Sequence, residues 1–517
     1  MTLLRITSCL ALGLLLHTAG KANNIQIANS TLTGNTGTSV QVQFDLSWEN
    51  SWRGGAVTNW DAAWVFVKYR TSLAGPWLHA NLNNAGHVAA AGSQIDLGLL
   101  NPGGAYNPSS NPVVGVFVYR NASGTGNLSL LGTQLQWNFA AQGLNYADVA
   151  QVRVFAVEMV YVPQGGYAVG SGGTEISAFT LTTINTANAT TASGGMGTLG
   201  GQAGGYPTGQ TAPSNANWPN GFNAFYCMKY EVTQQSYVDF LNSLSYIQQM
   251  ARTATAPNFA AGTGALSSTN ANRNGIDIEA PGVSSGTPAV YACNLNGNGL
   301  YGETNDGTDI ACNWLSWGDL SAYLDWSGLR PMTELEYEKA CRGTIAPVAN
   351  EYAWGSTGIA FNSYTLLNAA TTDEGIATNY STTLGNANWG SGVSLIDGPM
   401  RVGIFAANGS NSGRVTGGAS YYGIMELGGN LYERVVSIGS PSGRAYTGTH
   451  GNGAVLAGGD QDVANWPAPT TADGAGFRGG SWTHDTPYHR VSDRFLATGT
   501  YSIRFNYVGG RGVRFAP

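Results

Sequence analysis

Apolar and polar side chains alternate over short stretches through the first 150 residues, and no stretch there has helical periodicity. In residues 39–48, SVQVQFDLSW, every second residue from Val40 to Leu46 is apolar, which is the period of a strand with one buried face. Two further stretches are rich in β-branched and aromatic residues, AAWVFVKYR (62–70) and VVGVFVYR (113–120). The pattern predicts an antiparallel β-sandwich domain over residues 23–150.

Three helices are predicted further along the chain, each with a recognisable start. Thr233 is placed to cap EVTQQSYVDFLNSL, and Ser316 with Asp319, then Thr333 with Glu336, have the spacing of capping boxes. After residue 345 the helical periodicity ends, and glycine-rich segments with short strands follow. A few helices set among short strands predict an α+β domain over residues 151–517. A Thr/Asn/Gly-rich insertion at 181–217 contains a GxGxxG match at 195–200 without the flanking strand and helix of a dinucleotide site.

The amino terminus has the features of a secretory signal peptide. Arg5 is followed by an apolar run from Ile6 to Leu16 and by small residues, so residues 1–22 are expected to be removed on export. The rest of the sequence has no run of 18 or more apolar residues, so no transmembrane segment is predicted. The net charge of −7 argues against nucleic acid as a partner. We therefore expect a secreted or cell-surface protein with an extracellular ligand or protein partner.

Four cysteines follow the predicted signal peptide: Cys227, Cys293, Cys312 and Cys341. An even number in an exported chain allows two disulfides, and Cys293 with Cys312, which bracket a polar loop, is the expected first pair. Cys341 is expected to be buried and reduced, or paired with Cys227. The chain contains no CxxC spacing, so a zinc ribbon or a thioredoxin-type site is not expected.

Seven stretches, in order, resemble the sulfatase-modifying-factor family, which includes formylglycine-generating enzyme. They are MVYVPQGGYAVG (159–170), YCMKYEVTQQSYVDFL (226–241), LRPMTELEYEKACRG (329–343), YAWG (352–355), YYGIMELGGNLYER (421–434), FRGGSW (477–482) and GGRGVRFAP (509–517). The resemblance covers roughly residues 154–517 and implies a variant of the C-type-lectin fold. Members of that family commonly bind calcium, and some are copper-dependent oxidases that convert cysteine to formylglycine.

The resemblance implies a calcium site in the stretch GIMELGGNLYER (423–434). Calcium prefers six to eight oxygen ligands on a sharply turning chain. The expected ligands are the carboxylates of Glu426 and Glu433 and the carbonyls of Gly429 and Leu431. A second family site would fall on Asn388, Trp389 and Asp397. The sequence NDGTD (305–309) also has oxygen spacing that suits calcium, but we expect it to form an Asx-rich turn.

The resemblance also implies which chemistry is missing. The oxidase requires two cysteines after the GGS-aromatic motif, because thiolates bind copper and exchange with the substrate thiol. Here that stretch reads GGSWTHDTPYHRVSDR and contains no cysteine, so copper and formylglycine formation are not expected. His484 and His489 stand near the missing cysteines. In this fold the following residues form a ligand-facing surface, and the expected binding residues are Trp482, His484, Tyr488, His489, Arg490 and Arg494.

Three functions remain open from the sequence. The first is a secreted, calcium-stabilised binding or cell-surface protein. The second is a metal-dependent oxidoreductase that uses His484 and His489 in place of thiols. The third is a structural subunit of an extracellular assembly.

Overall fold

The computed structural model describes residues 24–54, 58–189, 213, 215–390 and 396–517. The predicted signal peptide and most of the 181–217 insertion, including its GxGxxG match, lie outside the described residues. The strands are β1 (Gln26–Thr33), β2 (Val40–Arg53), β3 (Asp61–Arg70), β4 (Leu78–His79), β5 (Ser93–Leu99), β6 (Val113–Arg120), β7 (Gly124–Trp137), β8 (Gln151–Val162), β9 (Tyr167–Val169), β10 (Thr182–Ile184), β11 (Phe225–Met228), β12 (Ile276–Ala280), β13 (Val290–Cys293), β14 (Arg330–Pro331), β15 (Thr365–Leu367), β16 (Gly375–Thr378), β17 (Glu433–Val436), β18 (Ala475–Arg478) and β19 (Gly512–Phe515). The helices are α1 (Gln234–Leu241), α2 (Tyr246–Arg252), α3 (Trp317–Trp326), α4 (Glu334–Arg342) and α5 (Pro441–Arg444).

One large sheet runs through both predicted domains. Its strand order is β14-β19-β11-β8-β3-β6-β5, with β4 added beside β3. Strand β8 pairs antiparallel with β3 over ten residues and with β11 on its other edge. The backbone hydrogen bonds of the sheet therefore cross the predicted boundary at residue 150.

A second sheet, β1-β2-β7, shares a hydrophobic core with one face of the large sheet. Alternate residues of β2 and β7 are buried in this core, as the alternating sequence predicted. The other face of β3 and β6 packs against helices α1 and α3 in a separate core that contains Trp64 and Phe66. Strand β3 is buried on both faces, and Arg70 is its only residue that is not buried.

The predicted helix starts are confirmed. The Thr233 side chain accepts the N–H of Ser236 at the start of α1, and capping boxes start α3 and α4 at Ser316–Asp319 and Thr333–Glu336. Each cap satisfies amide groups that have no partner within the helix. The overall class is α+β, with strands more numerous than helices. Across the described ranges, no helix is long and apolar enough to cross a membrane.

The expected Cys293–Cys312 disulfide is wrong for this structure. Cys227, Cys293, Cys312 and Cys341 are all free and buried, so Cys341 is reduced and is not paired with Cys227. Cys293 and Cys312 both pack into the core beneath α1 and α3. The loop between them is closed instead by a backbone hydrogen bond from Leu295 N–H to the Asp306 carbonyl at 3.0 Å. Spacing along the chain therefore did not determine whether these two cysteines are bonded.

Candidate functional site

The acidic turn, residues 426–433, bends sharply because three of its residues have left-handed backbone angles. Glu426 has φ of +50°, Gly429 of +98° and Asn430 of +62°. A side chain on Gly429 would lie 2.7 Å from the Asn388 carbonyl oxygen, so this position requires glycine. The Gly429 N–H donates to the Gly479 carbonyl at 2.8 Å, which ties the turn to the GGSW segment. This geometry sets the turn deep inside the domain.

Three buried carboxylates surround the turn. Glu433, at the start of β17, pairs with the guanidinium of Arg511. Glu426 accepts the N–H of Gly403 at 2.9 Å through Oε1, while its Oε2 has no hydrogen-bond partner. The third is Glu231, which accepts the Leu431 N–H at 2.9 Å and the Asn430 side-chain amide at 2.6 Å. Glu433 Oε2 is also without a hydrogen-bond partner.

The turn has three carboxylates, and Arg511 is the arginine that bonds to one of them directly. Arg511 pairs with Glu433, and its remaining N–H groups donate to the backbone carbonyls of Met228, Lys229 and Glu426 at 3.2 Å. Burial raises the pKa of the Glu426 carboxyl to about 7, and burial together with the Glu433 charge raises the pKa of Glu231 well above its ordinary value. An additional cation at the turn would favour the ionised carboxylates.

The second predicted calcium position lies against the first. The Asn430 N–H donates to the Asn388 carbonyl at 2.8 Å, and the Asn388 side-chain N–H donates to Asn430 Oδ1 at 3.2 Å. Asn388 Oδ1 is buried and has no hydrogen-bond partner. Trp389 is buried and donates through Nε1 to the Ala360 carbonyl, whereas the exposed Asp397 accepts a hydrogen bond from Asn272.

Sequence reasoning missed two residues that contact the acidic turn, Glu231 and Arg511. Both belong to stretches that carried the resemblance, KYEVTQ and GGRGVRFAP. Glu231 follows β11, and Arg511 directly precedes β19, which pairs with β11. A charged residue next to each of two buried strands is a signal for an internal partner, because such residues are rarely buried unpaired.

Six rings that follow the GGSW motif form what we call the aromatic surface: Phe495, Tyr488, His484, Tyr507, Phe505 and Tyr501. Each ring centroid lies within 5.7 Å of the next, and Phe505 and Tyr507 are stacked at 4.9 Å. Phe495 and Tyr501 are about half exposed, at 50% and 49%. The rings therefore offer a continuous apolar face to solvent.

The predicted ligand-binding residues divide into exposed and buried groups. His484, Tyr488 and Arg490 are partly exposed, and Arg490 donates to Asn350 Oδ1 at 3.2 Å. Trp482, His489 and Arg494 are buried. The Trp482 indole donates to the Asn506 carbonyl at 3.0 Å, and Arg494 pairs with Glu334 at 2.7 Å. In this conformation the buried three support the surface from beneath.

The two histidines are uncharged at neutral pH. Burial lowers the pKa of both His484 and His489 to about 4. His484 Nδ1 lies 2.7 Å from Ser481 Oγ, and His489 Nε2 lies 3.0 Å from the His484 carbonyl oxygen. Among the described residues, His484 and His489 belong to no group of three or more His, Cys, Asp or Glu side chains that could hold a metal ion.

The cysteines are poor nucleophiles in this fold. Burial raises the pKa of Cys341 to about 12, and burial also raises the pKa of Cys227, Cys293 and Cys312. Thiol chemistry requires the thiolate, which these buried groups do not form at neutral pH. No cysteine occurs between residue 342 and residue 517, the part of the chain that carries the aromatic surface.

Comparison with protein families identifies the domain that carries these features. The model of the sulfatase-modifying factor enzyme 1-like domain matches residues 147–515, which is more than half of the chain. The chain belongs to this family. The sulfatase-modifying-factor domain thus includes the acidic turn, the aromatic surface and all four buried cysteines. It begins before β8, the strand that joins it to the amino-terminal strands.

Other comparisons add little to this assignment. No curated protein sequence matches the chain. Among solved structures, Treponema denticola variable protein 1 is similar, with 13% sequence identity and a TM-score of 0.30. That match covers 70% of this chain and 96% of the Treponema protein.

Proposed function

We propose that this protein is an exported, calcium-stabilised binding protein, secreted or held at the cell surface, whose sulfatase-modifying-factor domain binds a ligand and does not make formylglycine. The aromatic surface is the observation that carries the proposal. The row of rings is half exposed at its two ends and partly exposed between them, and exposed apolar surface of this kind commonly marks interaction sites. Aromatic anchors are also the side chains that contribute most to binding energy.

The ligand face would combine the six rings with polar groups beside them. Arg490 supplies a charge, while the neutral imidazole of His484 and the tyrosine hydroxyls supply hydrogen bonds. Trp482, His489 and Arg494 would act from below by holding the backbone of this segment in place. The partner would be an extracellular ligand or protein with an apolar group that covers the rings.

Calcium would act on the stability of the domain. Glu426 Oε2, Glu433 Oε2 and Asn388 Oδ1 are buried oxygens without hydrogen-bond partners, so the donor set fits a hard cation that prefers oxygen. The backbone carbonyls of Gly429 and Leu431 would complete the first family position, and Trp389 and Asp397 would complete the second. The ion would supply positive charge beyond that of Arg511.

Formylglycine formation needs accessible thiolates, and this domain has none on its ligand face. We therefore predict that the purified protein, reconstituted with copper and given a sulfatase-type cysteine peptide, produces no aldehyde by mass spectrometry. The control is the same incubation without metal. Aldehyde above that control would overturn the proposal. Stoichiometric copper or iron in the purified protein would instead favour an oxidoreductase that uses His484 and His489.

Binding is tested with the triple variant Phe495→Ser, Tyr501→Ser, Ile503→Ser on an array of immobilised glycans and peptides. All three side chains are at least 49% exposed, so the free energy of unfolding should change by no more than about 0.5 kcal/mol for each. The matched control is Leu131→Ser, an exposed apolar residue on β7, 72% accessible. We expect the triple variant to lose the array signals that the unmodified protein and the control keep.

Equal signals for all three proteins would contradict the proposed face. Size-exclusion chromatography at increasing concentration is run beside the array. If the unmodified protein assembles into large particles and the triple variant does not, the rings join copies of the chain. That outcome would replace the binding proposal with an assembly function.

A further inference from the structure

A polar loop, residues 294–306, directly follows β13. Asparagines occupy positions 294, 296 and 298, and Gly299 follows them. Counted from Asn294, the loop has oxygen-bearing side chains at positions one, three and five and a glycine at position six, which is the spacing of calcium-binding loops. Glu303 and Asp306 follow within the same loop.

The side chains of the polar loop converge on Glu303. Asn296 donates through Nδ2 to Glu303 Oε2 at 3.0 Å and to Asn305 Oδ1 at 2.9 Å. Asn298 donates to the same Glu303 oxygen at 2.6 Å. The side-chain oxygens of these asparagines accept backbone N–H groups, Asn296 Oδ1 that of Asn298 at 3.0 Å and Asn298 Oδ1 that of Leu300 at 2.7 Å. Each amide oxygen has a second lone pair, which a cation beside the Glu303 carboxylate would engage.

Two buried carboxylates at the base of the loop have unpartnered oxygens. Asp306 is 1% exposed; its Oδ2 accepts the Glu303 N–H at 2.7 Å, and its Oδ1 has no hydrogen-bond partner. Asp277, on β12, is fully buried; its Oδ2 accepts the Asn294 side-chain N–H at 2.9 Å, and its Oδ1 is also unpartnered. An unpaired buried carboxylate oxygen is costly, so each points to a missing partner.

The missing partner is not an amino group of the described chain. Within the described ranges, Asp277, Glu303 and Asp306 form no ion pair with lysine or arginine. The loop also lacks the histidines and thiolates that transition metals prefer. Its donors are carboxylate and amide oxygens in a flexible arrangement, which suits calcium better than the rigid octahedron of magnesium.

We propose that the polar loop is a calcium site, separate from the acidic turn. The ligands would be the carboxylates of Glu303 and Asp306 and the side-chain oxygens of Asn296, Asn298 and Asn305, with Asp277 and Asn294 supporting the base. Two carboxylates among mostly neutral donors give a weak site, with a dissociation constant on the order of 10⁻⁴–10⁻³ M, which is typical of extracellular modules. The site depends on neither the aromatic surface nor a bound ligand.

A bound ion would also reach beyond the loop. The Gly307 N–H donates to the Ala370 carbonyl at 2.9 Å, and the Gln235 N–H at the start of α1 donates to the Thr308 carbonyl at 3.0 Å. The end of the loop is therefore bonded to two other segments of the domain. Calcium at this position would lower the opening rate of all three together.

Hydrogen exchange of the full-length protein, read by mass spectrometry, tests the proposal peptide by peptide. Samples contain chelator, calcium or the same concentration of magnesium. At calcium ten times above its dissociation constant, exchange across residues 294–309 should slow by about tenfold, because opening must release the ion. Magnesium should have a smaller effect. The peptide covering residues 423–436 reports on the acidic turn in the same samples.

Three variants make the test specific. The double variant Glu303→Gln, Asp306→Asn should abolish calcium protection of residues 294–309, whereas Thr304→Ala, an exposed neighbour, should retain it. Asn298→Asp adds a carboxylate at an exposed position and should strengthen calcium binding by about tenfold. This last variant keeps the test valid if the double variant fails to unfold cooperatively in chelator.

Several outcomes would overturn the site. If calcium does not slow exchange at residues 294–309 of the unmodified protein, the loop is held by its own Asx turns. If the folded double variant keeps the protection, the ion binds elsewhere. Protection at residues 423–436 alone would support the acidic turn and reject the polar loop, so the two calcium proposals fail independently.

Discussion

Two buried ionic clusters lie in the same domain and differ in their balance of charge. Around α4, Glu334, Glu338 and Glu351 pair with three arginines, Arg342, Arg478 and Arg494. Around the acidic turn, Glu231, Glu426 and Glu433 have one arginine bonded to them, Arg511. The first cluster is balanced, with three arginines for three carboxylates, whereas the second has one arginine bonded to its three glutamates.

The pKa values of one carboxyl from each cluster show the effect of that balance. Burial raises the pKa of Glu338, but Arg478 and Arg342 outweigh it, and the net pKa is lowered. Burial of Glu426 is offset only in part, and its pKa is raised to about 7. Burial thus gives opposite results, because Arg342 and Arg478 donate directly to the Glu338 carboxylate, whereas Arg511 donates to the backbone carbonyl of Glu426. A complete ion-pair network specifies structure, whereas an incomplete one is suited to bind or to titrate.

The largest expected effect comes from unbalancing the α4 cluster. Arg478→Met would leave Glu334 and Glu338 each without one of its buried partners, and breaking a buried pair in this way costs about 3–5 kcal/mol. Denaturant unfolding measures the loss. The control is Arg490→Met, a partly exposed arginine whose contact is with Asn350. A loss for Arg478→Met as small as that of the control would show that the balance at α4 does not matter.

Calcium removal should have the next largest effect, and of the two ionic clusters only the one around the acidic turn should respond. A ligand that binds only the folded state at a hundredfold excess over its dissociation constant contributes about 2.7 kcal/mol. Chelation should therefore lower the melting temperature, and Glu426→Gln should remove most of the difference while it retains the hydrogen bond from Gly403. Glu279→Gln, at an exposed position on β12, is the matched control. Identical melting curves with and without chelator would reject the site at the acidic turn.

The pH dependence in chelator should show a smaller effect. A carboxyl whose folded pKa is raised contributes stability that is full below its unfolded pKa and is lost as pH rises through its folded pKa. For Glu426 this window runs from about 4.5 to about 7, at about 1.4 kcal/mol per unit of pKa shift. Melting temperatures of the unmodified protein in chelator should fall more steeply across this range than those of Glu426→Gln. Parallel curves would show that Glu426 does not titrate there.

Local patterns predicted local structure well. The caps of α1, α3 and α4 depend on residues three positions apart, and their sequence signals were sufficient. The alternation of β2 was sufficient for one buried face. The run AAWVFVKYR is nearly continuous in apolar residues, which is typical of a strand buried on both faces, whereas a two-sheet sandwich requires only one buried face.

Long-range partners could not be predicted in the same way. The pairing of Glu433 with Arg511 and the contact of Glu231 with Leu431 join residues 78 and 200 positions apart. A carboxylate in the sequence looks the same whether a metal, an arginine or water will face it. The resemblance identified the turn but not Arg511, because the guanidinium reaches the turn only through the pairing of β19 with β11.

The position of β19 also has a consequence for the order of folding. Residues 512–515 lie between β11 and β14, so strands made from residues 225–228 and 330–331 wait for a neighbour that is synthesised much later. Sheets that depend on such distant pairings fold slowly, since the entropy of closing a long loop is lost before contacts form. The sheet cannot be completed until residue 512 has been added. For the export proposed above, a sheet that is completed so late would keep the chain competent for threading through a narrow channel.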